Sequence, residues 1–276
     1  MDERIYLARA ALHMWEEPCI SGTKGSGAVF FSGCGLRCCF CQNHDIAMGS
    51  RGRAVSVERL GEIFLELKEK GAANINLVTG AHYVPQIIEA LDMARRKGLD
   101  IPVVYNSSGY EKTETLKLLE GYVDIYLPDL KYLDPELAQK FSYAPDYVQA
   151  AKAAIGEMVR QTGKCEFGED GYIRKGTIVR HLILPGHTGN SIKALRYLHE
   201  TYGEDIYISI MNQYTPVRKF VEFKELNRKV TKREYEKVLD AAVDMGIQNG
   251  FIQEGETASE SFIPDFDYEG VEKNTP

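Results

Sequence analysis

The stretch that decides the fold is GAVFFSGCGLRCCFC, which covers residues 27–41. Its first part, 27–31, is a continuous apolar run of the kind typical of a buried β-strand, and a polar loop containing glycine follows at once. Within that loop, Cys34, Cys38 and Cys41 are spaced Cys-x₃-Cys-x₂-Cys. A strand followed by a loop that carries chemistry is the repeating unit of parallel α/β folds.

The same unit recurs along the chain as an apolar run, a polar loop and a helix with one apolar face. After the first strand, further strands are predicted at 74–78, 102–105, 122–127, 177–184 and 206–210. Helices are predicted after the N-cap residue Ser56, from 84 to Gly98, at 113–120, over 135–161, around 192–198 and after a capping box at Thr231. Repeated βα units predict a parallel sheet with right-handed crossovers.

The position of the polar loops distinguishes a parallel barrel from a doubly wound parallel sheet. They follow each of the six predicted strands, which is typical of a barrel, and the first turn lacks the Gly-x-Gly-x-x-Gly of many doubly wound sheets. We therefore expect an α/β fold, a partial (β/α)₆ TIM-like barrel, in a single domain. Its predicted bounds are 22–250, with an N-terminal extension at 1–21 and an acidic C-terminal tail at 251–276.

Composition and charge narrow the range of partners and compartments. The net charge is −7 and no long basic run is present, so we expect no nucleic-acid partner. No apolar run approaches the ~18 residues of a membrane span, and the first residues lack a signal-peptide pattern. We expect a cytoplasmic protein without a membrane partner, in which clustered cysteines serve metal or redox chemistry rather than disulfides.

The clustered thiolates indicate a metal centre, and soft thiolates suit zinc or iron–sulfur. A tetrahedral zinc site could use Cys34, Cys38, Cys41 and His44. Alternatively, the same three cysteines could hold an iron–sulfur cluster and leave one iron open for chemistry. Cys39 is a poor fourth ligand, since adjacent side chains of an extended loop point apart. The residues alone leave both metals open.

The cysteine spacing, with Phe40 before the last cysteine, resembles the radical S-adenosylmethionine (SAM) signature. The segments 30–34 and 41–43 are similar to the pyruvate formate-lyase activating enzyme family. The segments 106–110, 127–131 and 181–187 are similar to a branch related to those enzymes. The resemblance covers about 22–214 and implies a 4Fe–4S cluster on the three cysteines. Its open iron would bind SAM, whose reductive cleavage gives a 5′-deoxyadenosyl radical that abstracts hydrogen from a substrate.

The resemblance also implies contacts to the cofactor, although it assigns no catalytic residue. The implied SAM-site residues are Phe40, Gln42, Thr79, Gly80, Asn106, Ser107, Asp129, Lys131, Arg180 and Gln213. In the related family, backbone at the position of Thr79-Gly80 meets the methionine amino group. Residues matching Asp129 and Lys131 help to bind a monovalent cation and the SAM carboxylate, and Arg180 matches an arginine on the carboxylate or ribose. Each could instead have a structural role, such as a turn or a surface ion pair.

Later strand ends supply further candidates for the substrate pocket, and some positions depart from the family. His187, Gln213 and Tyr214 are pocket candidates. The departures are Ser26 for Arg, His82 for Glu and Asn106 for Asp, which we expect along the rim formed by the loops. They predict a protein that is not dedicated to activating pyruvate formate-lyase.

The function predicted is a radical SAM enzyme that acts on an unidentified protein, peptide or small molecule. The expected reductant is a low-potential electron donor, flavodoxin-like or ferredoxin-like. The alternatives are an enzyme that installs a glycyl radical on a protein partner, a zinc-binding structural or interaction protein, and a simple electron carrier.

Overall fold

The computed structural model describes residues 4–253 and 264–272. The strands are Ile5–His13 (β1), Ser26–Phe31 (β2), Arg53–Val55 (β3), Ile75–Val78 (β4), Val103–Ser107 (β5), Ile125–Pro128 (β6), Glu166–Phe167 (β7), Ile173–Leu182 (β8), Tyr207–Met211 (β9) and Gly250–Ile252 (β10). The α-helices are Pro18–Ser21 (α1), His44–Ala47 (α2), Val57–Glu69 (α3), Val84–Arg96 (α4), Thr113–Leu118 (α5), Pro135–Ser142 (α6), Tyr147–Thr162 (α7), Thr188–Tyr202 (α8) and Lys232–Asp244 (α9). Short 3₁₀ helices cover Gly80–Tyr83 and Lys224–Asn227.

The central sheet is parallel through most of its width, in the order β10-β9-β8-β6-β5-β4-β2. The six strands predicted from the sequence are β2, β4, β5, β6, β8 and β9, and they lie side by side in chain order. Beyond β2 the sheet continues antiparallel through β1 and then β3. Within the described residues its two end strands do not pair, so the barrel is open. The predicted α/β fold, a partial barrel in one domain, is confirmed.

The helix signals explain most of the helix boundaries. Ser56 accepts a hydrogen bond from the Arg59 N–H at 3.2 Å, and Thr231 forms the predicted capping box with Glu234. The prediction of one helical region over 135–161 is wrong, because α6 ends at Ser142 and the next residue, Tyr143, has a left-handed conformation with φ of 55°. Pro145 disfavours a helical conformation for the residue before it, so α7 starts as a separate helix.

Alternation along the strands divides the core into an outer layer and a lumen. On β5, Val103 and Tyr105 pack in the outer layer with the apolar faces of α3 and α4, whereas Val104 points into the lumen. The lower lumen is filled by apolar strand residues that pack against Cys19 and Ile20 of α1. We call residues 16–20 the plug, because they fill the open barrel from the side at which the parallel strands begin.

Both predicted terminal segments contribute to this architecture. The segment predicted as an N-terminal extension supplies β1 and the plug. Part of the segment predicted as an acidic tail packs on β1, where the Ala10 N–H donates to the Glu269 carbonyl at 2.8 Å and the Phe266 ring lies 5.6 Å from that of Phe30. Residues 254–263 and 273–276 of that segment lie outside the described residues.

Candidate functional site

A cavity of about 420 Å³ opens at the C-terminal ends of the parallel strands. It brings together residues from the C-terminal parts of six parallel strands and the loops that follow them. Its lining includes the three candidate ligands Cys34, Cys38 and Cys41 and the candidate cofactor residues Phe40, Gln42, Thr79, Asn106, Ser107, Asp129, Lys131, Arg180 and Gln213. At about 420 Å³ it lies within the usual range for small-molecule sites, roughly 300–1,000 Å³.

The cysteine loop is held against the end of α6. The Cys39 N–H donates to the Phe141 carbonyl at 2.8 Å, and the Ser142 hydroxyl donates to Cys38 Sγ at 2.9 Å. Cys39 does not line the cavity, whereas its neighbour Cys38 does. The packing of the loop therefore places Cys38 at the cavity and leaves the adjacent Cys39 outside it.

The three buried thiols need a metal centre to be stable as thiolates. Burial raises the pKa of all three thiols, that of Cys41 to about 12, so their thiolates need a metal to be stable. Among the described residues, no three His, Cys, Asp or Glu side chains are arranged to hold one metal ion. Ligands of a cluster bind different irons, so they need not converge on one point. His44, required by the zinc alternative, is outside the lining and its side chain is 50% exposed.

Asp129 and Lys131 form an ion pair that faces the cavity. Lys131 Nζ lies 2.5 Å from Asp129 Oδ2, and the two side chains are only 18% and 22% exposed. Burial alone would lower the pKa of Lys131, but Asp129 and Cys38 outweigh burial and hold the pKa well above its usual value. The Tyr147 hydroxyl accepts from the Lys131 N–H at 2.9 Å and fixes this backbone. A Cβ on Gly109 would come within 2.3 Å of the Asp129 carbonyl oxygen, so only glycine fits there.

Thr79 carries an unusual backbone conformation at the cavity wall. It is a β-branched residue with φ of 62°, in the left-handed region. Its N–H donates to the Asn106 carbonyl at 2.9 Å. Gly80 lies behind it, outside the lining, where a Cβ would be 2.7 Å from Ile87 Cδ1. Strain of this kind is concentrated at functional sites in proteins.

Arg180 is held by two glutamates of the plug. Its guanidinium donates to both carboxylate oxygens of Glu17, at 2.8 and 2.6 Å, and also pairs with Glu16. Glu16 in turn accepts from the side-chain amides of Asn76 and Asn106 at 2.9 and 3.3 Å. All three charged side chains are at most 13% exposed. Burial alone would raise the pKa of Glu17, but Arg180 outweighs it and the pKa is lowered.

Sequence reasoning missed Glu16 and Glu17, because no local motif links them to Arg180, which lies more than 160 residues away. Strand alternation on β8 turns His181 to the opposite side, with its Nδ1 2.6 Å from the Leu130 carbonyl. Arg180, the candidate cofactor contact, therefore already has two carboxylate partners.

The far side of the cavity is built by residues that the sequence did not single out. The N-terminal segment contributes His13 and Trp15, and the end of the sheet contributes Phe251 and Ile252. Among the described lining residues, Trp15 and Ile252 are large apolar side chains that reach solvent, 58% and 52% exposed.

The pocket candidates at later strand ends divide into two groups. Gln213 and Tyr214 line the cavity, and Gln42 Nε2 donates to the Gln213 carbonyl at 3.1 Å. His187 lies outside the lining, with its ring 5.3 Å from that of Phe141.

The three departures from the related family do not share a rim, so that expectation is wrong for Ser26. Ser26 begins β2 at the opposite end of the barrel, where its hydroxyl donates to Asn74 Oδ1 at 2.6 Å. Asn74 donates to the Ile20 carbonyl at 2.8 Å, so Ser26 supports the plug. His82 does lie by the cysteine loop, against Gly33, and Asn106 contacts Glu16.

An open parallel barrel with a three-cysteine loop after its first parallel strand defines the class of radical SAM enzymes. Residues 28–198 match the Radical SAM superfamily, and the chain belongs to it. An uncharacterised protein of Methanocaldococcus jannaschii is 27% identical over 244 residues, which are 86% of this chain and 67% of that protein. A pyruvate formate-lyase-activating enzyme of Clostridium pasteurianum is 27% identical over 113 residues, 39% of this chain and 46% of that enzyme.

The fold is also found in solved structures. Streptococcus suis SuiB bound to the precursor peptide SuiA superposes with a TM-score of 0.54 at 14% identity, over 82% of this chain. The match spans 47% of the SuiB chain, so this chain covers about half the length of that structure. None of the described helices is both long and apolar enough to span a membrane.

Proposed function

We propose that this cavity holds a 4Fe–4S cluster on Cys34, Cys38 and Cys41, with SAM beside it, and that the enzyme abstracts hydrogen from a small molecule or peptide. The observation that carries the proposal is one cavity lined by all three thiols and by the buried Asp129–Lys131 pair. When bound, the cluster and SAM together supply reductive cleavage of SAM to a radical.

The chain's own residues supply binding, orientation and exclusion of water. The Lys131 ammonium stays charged and is placed to bind a carboxylate of the cofactor. Asp129 prevents this ammonium from moving, because Tyr147 anchors the backbone between them. Phe40 and Tyr214, with ring centroids 6.1 Å apart, shield the cluster side from water.

Thr79 and Ser107 supply polar groups on the wall between the two halves of the cavity. Both lie directly at strand ends, where the backbone is fixed by the sheet. We propose that they bind the amino group and the ribose of SAM. We also propose that Gln42, Asn106, Arg180 and Gln213 contact SAM and that a monovalent cation binds beside Asp129.

The part of the cavity lined by Trp15, Phe251 and Ile252, which we call the substrate half, favours a substrate that enters the cavity over a protein that covers it. Among the described residues, Trp15 and Ile252 add exposed apolar surface to the lining of the cavity, and Glu16 and Glu17 of the plug add buried carboxylates. These elements are contributed by the two ends of the chain, outside the segment 28–198 that matches the superfamily. They supply the additional pocket walls that a small molecule or peptide side chain needs.

Anaerobic reconstitution followed by equilibrium dialysis with SAM tests the proposal. We expect iron and sulfide in equal amounts, near four of each per chain as a 4Fe–4S cluster requires, and saturable SAM binding to the reconstituted protein. The matched variants are Lys131→Met and Lys97→Met, of which the second is an exposed lysine beyond α4. Zinc without sulfide, or SAM binding that is equal in both variants, would contradict the assignment.

Installation of a glycyl radical on a protein partner is the second candidate, supported by the partial similarity to an activating enzyme. Electron paramagnetic resonance distinguishes it from the first candidate. The reduced enzyme with SAM should leave no glycyl radical on pyruvate formate-lyase. Stoichiometric radical on that partner would favour the second candidate instead.

A further inference from the structure

The surface behind the cysteine loop is basic, although the chain carries a net charge of −7. We define the basic surface as Arg37, Lys140, Arg218 and Lys219, all of which are exposed. Arg37 lies in the cysteine loop itself, and Lys140 is near the end of α6. Arg218 and Lys219 lie on the loop that follows β9. Lys140 and Arg218 therefore lie on neighbouring aromatic rings, and Arg37 adds an exposed cation in the cysteine loop, which contacts the end of α6.

Direct contacts show how near this surface lies to the cluster ligands. Lys140 is adjacent to Phe141, whose carbonyl accepts from Cys39, and is two residues from Ser142, which donates to Cys38 Sγ. The Phe141 ring lies 5.2 Å from that of Phe223, which is in turn 6.5 Å from the Phe220 ring beneath Arg218. Lys140 and Arg218 therefore lie close to the segment that holds Cys38 and Cys39.

The surface has a rigid apolar base. Lys140 Nζ lies over the rings of Phe141 and Phe223, at 4.9 and 5.1 Å from their centroids. The Arg218 guanidinium lies 5.4 Å from the Phe220 ring centroid, and the Phe220 and Phe223 rings are 6.5 Å apart. Packing on aromatic rings holds the long cationic side chains in place and reduces the entropy lost when a partner binds.

Most of the positive charge is not neutralised locally. Lys140 pairs with Glu225 at 2.9 Å, but Arg37, Arg218 and Lys219 form no salt bridge with any described residue. The nearby Glu222 is exposed and offsets part of the charge. The remaining excess is positive, so an acidic partner would be attracted and a basic one repelled.

We propose that the basic surface docks an acidic, low-potential protein that carries one electron, of the flavodoxin or ferredoxin class. The proposal rests on the proposed function. In the complex the carrier would give up one electron and a cluster held by Cys34, Cys38 and Cys41 would accept it. That electron would then break the sulfur–carbon bond of bound SAM to give methionine and the 5′-deoxyadenosyl radical. The exposed lining residues Trp15 and Ile252 are not part of the basic surface, so carrier and substrate can bind together.

Binding measurements test the docking surface without relying on activity. The test variant is Arg218→Glu/Lys219→Glu, and the matched control is Arg96→Glu/Lys97→Glu at the end of α4, which makes the same charge change at another exposed pair. The probe is ¹⁵N-labelled oxidised flavodoxin of net negative charge, titrated with each reconstituted protein and followed by NMR.

We expect the test variant to weaken the affinity for flavodoxin at least about tenfold at low ionic strength, and the control to change it less than about twofold. Added salt should weaken wild-type binding in the same direction. Equal affinities for the test and control variants, or affinity that does not respond to salt, would overturn the proposal. Equal loss in both variants would show attraction by net charge alone and would also overturn it.

Reduction kinetics separate this proposal from the proposed function. Reduced flavodoxin should bleach the visible absorbance of the cluster more slowly in the test variant than in wild type, whereas reduced methyl viologen, a small cation, should reduce both equally well. If wild type reduced by methyl viologen cleaves no SAM, the proposed function fails. If cleavage is normal but flavodoxin reduces both proteins equally, only the docking surface is wrong.

Discussion

The two ends of the cavity are built in different ways. The cluster end consists of loops in which neighbouring residues act together, such as the cysteine loop and the Asp129–Lys131 pair. The plug end joins Glu16 and Glu17 to Arg180, a contact that spans more than 160 residues. Chemistry held within one loop is visible in a sequence, whereas chemistry assembled by the fold becomes visible only in the structure.

The two ends also differ in charge balance. At the cluster end one ammonium meets one carboxylate, while at the plug end two carboxylates meet one guanidinium. The plug end therefore buries one negative charge more than its cation neutralises. We expect changes at the cluster end to affect cofactors and changes at the plug end to affect stability.

The largest expected effect is loss of the cluster when a ligand is removed. Cys34→Ala, Cys38→Ala and Cys41→Ala should each lose nearly all reconstituted iron, because each thiolate holds a different iron of the cluster. Cys39→Ala is the matched control and should keep most of it, since Cys39 does not line the cavity. Iron analysis after desalting provides the measurement. Equal loss in the control would remove the distinction between the cysteines.

Removing one buried charge at the plug end should destabilise the fold strongly. Glu17→Ala leaves Arg180 without its bidentate partner and should lower the free energy of unfolding by about 3–5 kcal/mol. Urea denaturation measures this, with Glu200→Ala, an exposed site on α8, as the control. A loss below about 1 kcal/mol would mean that Glu16 alone suffices.

The pH dependence of the same pair has a definite sign. Folding lowers the pKa of Glu17 below its ordinary value of 4.5, so its contribution to stability is present above that pH. The contribution is lost as the pH falls through the lower folded value. Wild type should therefore lose more stability than Glu17→Gln between pH 5 and the acid transition. Parallel pH profiles would contradict the charged state assigned to Glu17.

At the cluster end, Lys131→Ala should weaken SAM binding about 10- to 150-fold while sparing iron content. A hydrogen bond to a charged group contributes about 1.5–3 kcal/mol, which corresponds to this range. Equilibrium dialysis measures the affinity, and Lys97→Ala serves as the control. Normal SAM affinity in Lys131→Ala would show that the Asp129–Lys131 pair is structural.

The smallest effect concerns backbone strain at Thr79. Because its φ is 62°, Thr79→Gly should raise the free energy of unfolding by about 1 kcal/mol, whereas Thr79→Ala should not. Thermal unfolding of the three proteins provides the comparison. Destabilisation by glycine would show that contacts of the threonine side chain outweigh the strain.

Local sequence patterns predict one part of the fold, and tertiary contacts determine the rest. The six parallel strands β2, β4, β5, β6, β8 and β9 could be predicted because apolar runs and polar loops alternate locally, and the capping box located α9. β1 was missed, because its apolar run precedes the cysteine motif and its partner can be identified only by tertiary pairing. The break between α6 and α7 was missed although Pro145 signals it, because helical spacing continues on both sides.

The residues of the site could likewise be predicted only where a local motif marks them. The thiols and the loop residues around them were found from spacing and resemblance, and most of them line the cavity. Trp15 and Ile252 could not be found, since single exposed apolar residues are common on protein surfaces and no local pattern links these two to a cavity. Ser26 was placed at the wrong end, because alignment to a motif does not say which end of a strand carries a residue.

The most direct test of the central claim is formation of 5′-deoxyadenosine. The reconstituted protein, reduced anaerobically by methyl viologen in the presence of SAM, is analysed by chromatography for 5′-deoxyadenosine and methionine. We predict that both products form in equal amounts, and that neither forms with Cys38→Ala. A protein that holds a full 4Fe–4S cluster and binds SAM, yet yields no 5′-deoxyadenosine under these conditions, would contradict the account.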